Sequence, residues 1–88
     1  MASVVYEVEL KSSAQKELKS LETGLRSRII SALKSLSNNP RPHGCRKLIG
    51  AHNRWRIRVG DYRVLYTIDD DSLRMEIVAV RHRSKAYD

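Results

Sequence analysis

Residues 4–10 alternate in character, with Val4, Tyr6, Val8 and Leu10 on one side and Val5, Glu7 and Glu9 on the other. A period of two is the signature of a strand with one buried face. The period then changes. Ser12 followed three residues later by Gln15 reads as a capping box, which would satisfy two orphan amides at a helix start. Ala14, Leu18 and Leu21 supply that helix with an apolar stripe, and Gly24 is expected to close it, because glycine takes left-handed geometry freely. Leu25, Ile29, Leu33 and Leu36 form a second stripe, widened by Ile30 and Ala32. Pro40, behind Asn38-Asn39, cannot continue the helical ladder and ends it. So short a link between the stripes predicts an antiparallel helical hairpin.

From Arg41 onward the period of two returns. After a Pro42-His43-Gly44 turn, Cys45–Ile49 can form a short strand. Arg54–Val59 alternates strictly, Gly60-Asp61 is a two-residue hairpin loop with glycine first, as a type II′ turn needs, and Tyr62–Ile68 returns. Asp69–Ser72 reads as the next turn, Leu73–Val80 as the last strand and residues 81–88 as a tail. The order β-α-α-β-β-β-β describes a single α+β domain over 1–88. Both helices are expected on one face of a mostly antiparallel sheet.

The Gly60-Asp61 loop fixes a register: Val59 faces Tyr62, Arg58 faces Arg63, Ile57 faces Val64 and Arg56 faces Leu65. If Trp55, Ile57 and Val59 meet the helices, alternation forces Arg54, Arg56, Arg58 and Arg63 onto the opposite, open face. Placing Arg58 across from Arg63 is unfavourable by some tenths of a kcal/mol up to about 1. Two explanations compete: long arginines shielding an exposed sheet, or guanidinium forks poised for phosphate oxygens. The second accounts for the absence of Glu or Asp among those positions. With Asp69–Ser72 as the loop, Glu76 would face Leu65 and lie on the arginine face, one strand over.

Charge sharpens this picture. The 88 residues carry 17 Lys and Arg against 10 Asp and Glu, a net +7. Residues 41–63 alone hold seven of the cations and one acid, Asp61. Such concentration points to a polyanion, nucleic acid above all. The tail adds Arg81 and Arg83, the imidazole of His82, which ordinarily titrates near neutrality, and Tyr87, able to stack on a base. Phosphate clamps, a stacking ring and a titratable imidazole are what RNA cleavage through the ribose 2′-hydroxyl requires: a base, cations around the phosphorane and an acid at the leaving oxygen. Lys47, Arg54, Arg83 and Lys85 are expected as flanking RNA contacts. His43 and His52 lie in loops without ligand-type neighbours, and the lone Cys45 excludes a Cys-based zinc site, so neither metal nor cofactor is expected. No apolar run approaches a bilayer span and no basic-then-apolar leader opens the chain, which makes the cytoplasm the expected compartment.

The central segment LIGAHNRWRIRVGDYRVLY (residues 48–66) and the tail IVAVRHRSKAY (residues 77–87) resemble the RelE toxins of bacterial type II toxin–antitoxin systems. The resemblance implies a compact sheet with a helical hairpin and an mRNA endonuclease acting on translating ribosomes. It implies neutralisation by a cognate RelB-like antitoxin, acidic in character, that wraps the toxin. It carries basic catalytic roles to Arg56, Arg58, Arg63 and Arg81 and a catalytic tyrosine to Tyr87. Some family members have lysine at the first two of these positions. An arginine stays protonated, which makes His82 the natural candidate for proton transfer. Strict alternation from Val78, however, points Arg81 at the core and His82 at the open face, unless the strand ends or bulges near Val80. The related ParE toxins share the fold but inhibit DNA gyrase by binding, a second reading; a non-catalytic RNA-binding module is a third.

Overall fold

The computed structural model describes residues 5–50 and 52–85. It contains β1 (Glu7–Leu10), α1 (Ser12–Lys19), α2 (Thr23–Asn38), β2 (Arg46–Lys47), β3 (Arg54–Val59), β4 (Tyr62–Asp69), β5 (Arg74–His82) and a closing 3₁₀ turn, Arg83–Lys85. The five strands form one sheet in the order β1-β5-β4-β3-β2, with β1 parallel to β5 and the other pairs antiparallel. This is the expected α+β architecture and element order.

Two helix ends differ from expectation. Ser12 is already helical and Lys11, at the cap position, makes no side-chain cap. Gln15 instead turns its amide back to the Leu10 carbonyl at 3.1 Å. Gly24 does not end α1; it lies in the first turn of α2, where Glu22 caps by accepting from Gly24 N–H (3.1 Å) and Leu25 N–H (2.6 Å). A carboxylate there also complements the positive end of the helix dipole.

One face of the sheet and both helices share a core built from Ala14, Leu18, Ile29, Leu33, Leu36, Ile57, Val64, Tyr66, Ile68, Met75, Ile77 and Val80. Tyr66 is fully buried, and its hydroxyl donates to the Pro40 carbonyl at 2.8 Å. Burial pushes its ionisation well above the usual tyrosine value.

The first hairpin has the expected register, Val59↔Tyr62 through Arg56↔Leu65, closed by Gly60 at φ 59°. The second hairpin does not. Its turn is Asp70–Leu73, one residue later than expected, with Asp69 opposite Arg74 and Leu73 in the left-handed region at φ 56°. The Asp69 side chain holds this turn by accepting from the Asp71 and Ser72 amides, both at 3.1 Å. Farther along, Leu65 faces Ala79 while Tyr66 faces Ile77, so Val78 is an extra residue in a β-bulge. The later turn sets Glu76 opposite Thr67, not Leu65, and the turn and bulge together set Arg63 opposite Arg81, not Val78.

At the turn end of β4–β5, Arg41 reaches Asp70 through both Nη atoms, at 3.2 and 2.9 Å, and Tyr6 donates its hydroxyl to the same carboxylate at 2.6 Å. Arg41 also lies over the Trp55 ring, 4.8 Å from its centroid. These contacts tie the start of β1, the α2–β2 loop, β3 and the last turn together.

The Arg41 hydrogen bond, then that from Tyr6, holds the Asp70 carboxyl below the usual carboxylate range. A carboxyl with a depressed native pKa contributes stability that is complete above the unfolded value, about 3.9, and is lost as pH falls through the native value. Asp70→Asn is therefore expected to flatten the acid limb: urea midpoints at pH 7 and pH 3 should differ less in the variant than in the wild type. Parallel losses in both would contradict this role for Asp70.

Candidate nucleic-acid interface

The ladder assigns each strand residue to a face. Val64 pairs with Ile57 of β3 on one side and Val80 of β5 on the other, and all three are buried beneath the helices. One step farther along the same strands stand Arg58, Arg63 and Arg81, with Arg63 paired to both of the others, on the opposite face. Three strands thus place three guanidinium-bearing side chains in one transverse row. The bulge at Val78 makes this possible: without it, Arg81 would have the parity of Met75 and Ile77 and point into the core.

Adjacent to this row on the same face is Arg56, opposite Leu65, which in turn faces Ala79. Arg56 has the expected side of the sheet but not the expected exposure. It is only 1% exposed, and Leu65 and Ala79 are buried as well. The face away from the helices is thus not uniformly open. It has an apolar floor of Leu65 and Ala79 beside Arg56, and the arginine row lies next to that floor.

The row is also not wholly without acids. Glu17, from α1, accepts from Arg81 Nε at 3.1 Å and from the Val80 amide at 3.0 Å. This carboxylate is absent from β3 and β4, where the strand pattern looks for one, and reaches the site from 64 residues away in sequence. No local spacing signals it.

The remaining candidate residues are distributed more widely. His82 lies on the helix side of β5, opposite Tyr62, with the rings edge to face at 5.5 Å. Its Nδ1 accepts from the Ser84 amide at 3.2 Å and lies 2.9 Å from the Ser84 hydroxyl. The bulge that turns Arg81 onto the arginine face turns His82 away from it, which reverses the strict-alternation reading of both. Lys47 lies on the helix side too, facing Trp55, with Nζ 5.8 Å from that ring. Arg54 shares the arginine face but stands near its far end, opposite Thr67. Arg83 closes the tail onto the hairpin: its amide donates to the Asp61 carbonyl at 2.7 Å, and its Nε is 3.9 Å from that carboxylate. Lys85 is exposed in the terminal turn, and Tyr87 lies outside the described residues. Among the described residues no group of three or more His, Cys, Asp or Glu is placed to hold a metal ion. No helix among them is long and apolar enough to cross a membrane.

Chemically, a row of three cations two strand spacings wide is suited to an anion with several oxygens. Arginine presents paired donors that match phosphate oxygens, and backbone attachment on adjacent strands fixes their separation.

The same fold occurs in toxins solved with their antitoxins. The toxin–antitoxin complex RelBE2 from Mycobacterium tuberculosis contains a chain 26% identical to this one, with a TM-score of 0.81, the match covering 96% of this chain and 98% of that one. The archaeal RelE–RelB complex from Pyrococcus horikoshii OT3 matches with a TM-score of 0.81 at 28% identity, covering 93% and 99%. In sequence, the chain is 34% identical to Toxin RelE of Mycobacterium tuberculosis (strain ATCC 25618 / H37Rv) over 86 residues, 93% of this chain and 86% of that protein. The family of ParE toxins of type II toxin–antitoxin systems, parDE, matches residues 8–87. The chain belongs to the RelE/ParE family of type II toxins.

A like-charge row costs stability. Arg58→Gln keeps most of the side-chain stem and removes one charge, so it should stabilise the fold by a few tenths of a kcal/mol. The gain should shrink in 1 M salt, where screening acts over about 3 Å. Urea unfolding at low and high salt checks both signs, and destabilisation at low salt would count against repulsion within the row.

Proposed function

We propose that this toxin is a ribosome-dependent mRNA endonuclease, held inactive by a cognate RelB-like antitoxin of acidic character. The observation that carries the reading is the row Arg58–Arg63–Arg81 on one face of the sheet. The relatives named RelE, and the RelE–RelB complexes with the same fold, support it.

In the proposed reaction the ribose 2′-oxygen attacks the adjacent phosphorus and the bond from phosphorus to the 5′-oxygen breaks. The 2′-proton passes to water and a proton from water reaches the leaving 5′-oxygen, so the products are a 2′,3′-cyclic phosphate and a 5′-hydroxyl. Arg58, Arg63 and Arg81 hold the phosphate and stabilise the charge that grows on its equatorial oxygens, with Arg56 at the inner end of the site. Guanidiniums stay protonated and cannot act as the base. They favour loss of the 2′-proton by stabilising the oxyanion that attacks, and the chemistry is assigned no metal. Tyr87 is given the part of positioning the base or ribose. Lys47, Arg54, Arg83 and Lys85 are given flanking contacts to RNA. His82, turned from the row, is left with proton transfer only if the tail rearranges on the RNA, which the pH dependence of His82→Ala against wild type would reveal.

One observation favours a second reading: the matching family is described as ParE toxins. In that case the basic face binds DNA gyrase and cuts nothing. Two assays separate them. Translating extracts supplied with the toxin should accumulate mRNA fragments ending in 2′,3′-cyclic phosphate, and Arg63→Ala should reduce the cutting at least a hundredfold, about the loss of one transition-state donor. Intact mRNA alongside inhibited gyrase supercoiling would replace the nuclease reading with the gyrase one.

A further inference from the structure

Past Leu10↔Ile77, the last pair between β1 and β5, the outer edge of β5 has no strand beside it among the described residues. Helix α1 packs against β5 there, and its Glu17 takes up what the missing strand would have taken. One carboxylate oxygen, Oε1, accepts the Val80 amide at 3.0 Å; the other, Oε2, accepts Arg81 Nε at 3.1 Å. A single carboxylate thus bonds to a backbone group and to the side chain of the next residue.

We propose that Glu17 is the positioning residue for Arg81 in RNA cleavage, a role that rests on the nuclease reading above. Arginine has four rotatable side-chain bonds, and Arg81 is the cross-strand partner of Arg63, whose Nη1 donates to the Tyr62 carbonyl at 3.2 Å. Left alone, repulsion and rotamer entropy would both carry its guanidinium away from the row. Glu17 opposes this through a contact fixed to the strand itself, because its second oxygen is bound to the Val80 amide. The bond to Arg81 uses Nε, and among the described residues neither Nη1 nor Nη2 of Arg81 has a protein partner. The paired donors suited to phosphate therefore stay available. Within the row, Glu17 offsets one of three guanidinium charges and leaves the net charge positive for an anion. An arginine restrained before the substrate arrives needs no reordering in the transition state.

The alternative is that Glu17 simply staples α1 to β5, and the test separates the two roles. Glu17→Gln has nearly the same shape but only one acceptor atom, so it can serve the Val80 amide or Arg81 Nε, not both. In two-dimensional NMR of the intact protein, the Arg81 Nε–Hε signal should be resolved and slow to exchange in wild type. In Glu17→Gln it should collapse into the signals of exposed arginines. Single-turnover cleavage of ribosome-bound mRNA should slow about tenfold with little change in ribosome affinity. In an Arg81→Ala background, Glu17→Gln should slow it no further. Glu17→Asp, which keeps the charge but is too short to bridge both donors, should fall between. A purely structural staple would lower thermal stability but slow cleavage equally with and without Arg81, and that result overturns the role. So does wild-type cleavage by Glu17→Gln, or an unchanged Arg81 signal. If the wild-type protein cuts no RNA at all, the nuclease reading fails first and takes this role with it. If wild type cuts and Glu17→Gln cuts equally well, only the Glu17 assignment fails.

Discussion

Burial of the row Ile57–Val64–Val80 beneath the helices is the constraint from which the candidate site follows. Each such side chain contributes about 1.5–3 kcal/mol when removed from water. A like-charge cross-strand pair costs at most about 1 kcal/mol. The core therefore decides the orientation of all three strands, and Arg58, Arg63 and Arg81, one residue farther on, have no choice of face. What would be a defect in a purely structural sheet is held in place by packing on the other side, and this row is what the proposed reading takes as its phosphate site.

The bulge at Val78 is the second device on which this depends. The run Ile77-Val78-Ala79-Val80 is apolar throughout, so its sequence does not reveal which members face the helices. Inserting one residue lets both Ile77 and Val80 reach the core, and it reverses the parity of everything after them. Arg81 gains the arginine face and His82 loses it. Bulges near functional sites commonly re-aim a side chain in this way.

The hairpin at Gly60-Asp61 was legible because its glycine, loop length and flanking alternation all specify the same register. The element order and the apolar stripes of both helices were legible for the same reason: each rests on a local period. What escaped the sequence was non-local or irregular. Leu73 adopts a left-handed conformation that nothing in its side chain favours, because Asp69 organises the turn before it. Arg56 is buried although its neighbours in the strand pattern are exposed or half-buried arginines. Glu17 meets the site across 64 residues, with no spacing to announce it. Family resemblance named Arg81 as a candidate, while strict alternation turned it toward the core; the bulge places it opposite Arg63, on the arginine face.

The central claim is that three guanidiniums from three strands hold one phosphodiester together. Titration of the isotope-labelled toxin with a short RNA bearing a 2′-deoxy sugar at the scissile step, which cannot be cut, tests it directly through the arginine Nε–Hε signals. The signals of Arg58, Arg63 and Arg81 are expected to shift together along a single binding curve. Movement confined to Arg54 and Arg83, with the three row arginines unaffected, would contradict the account.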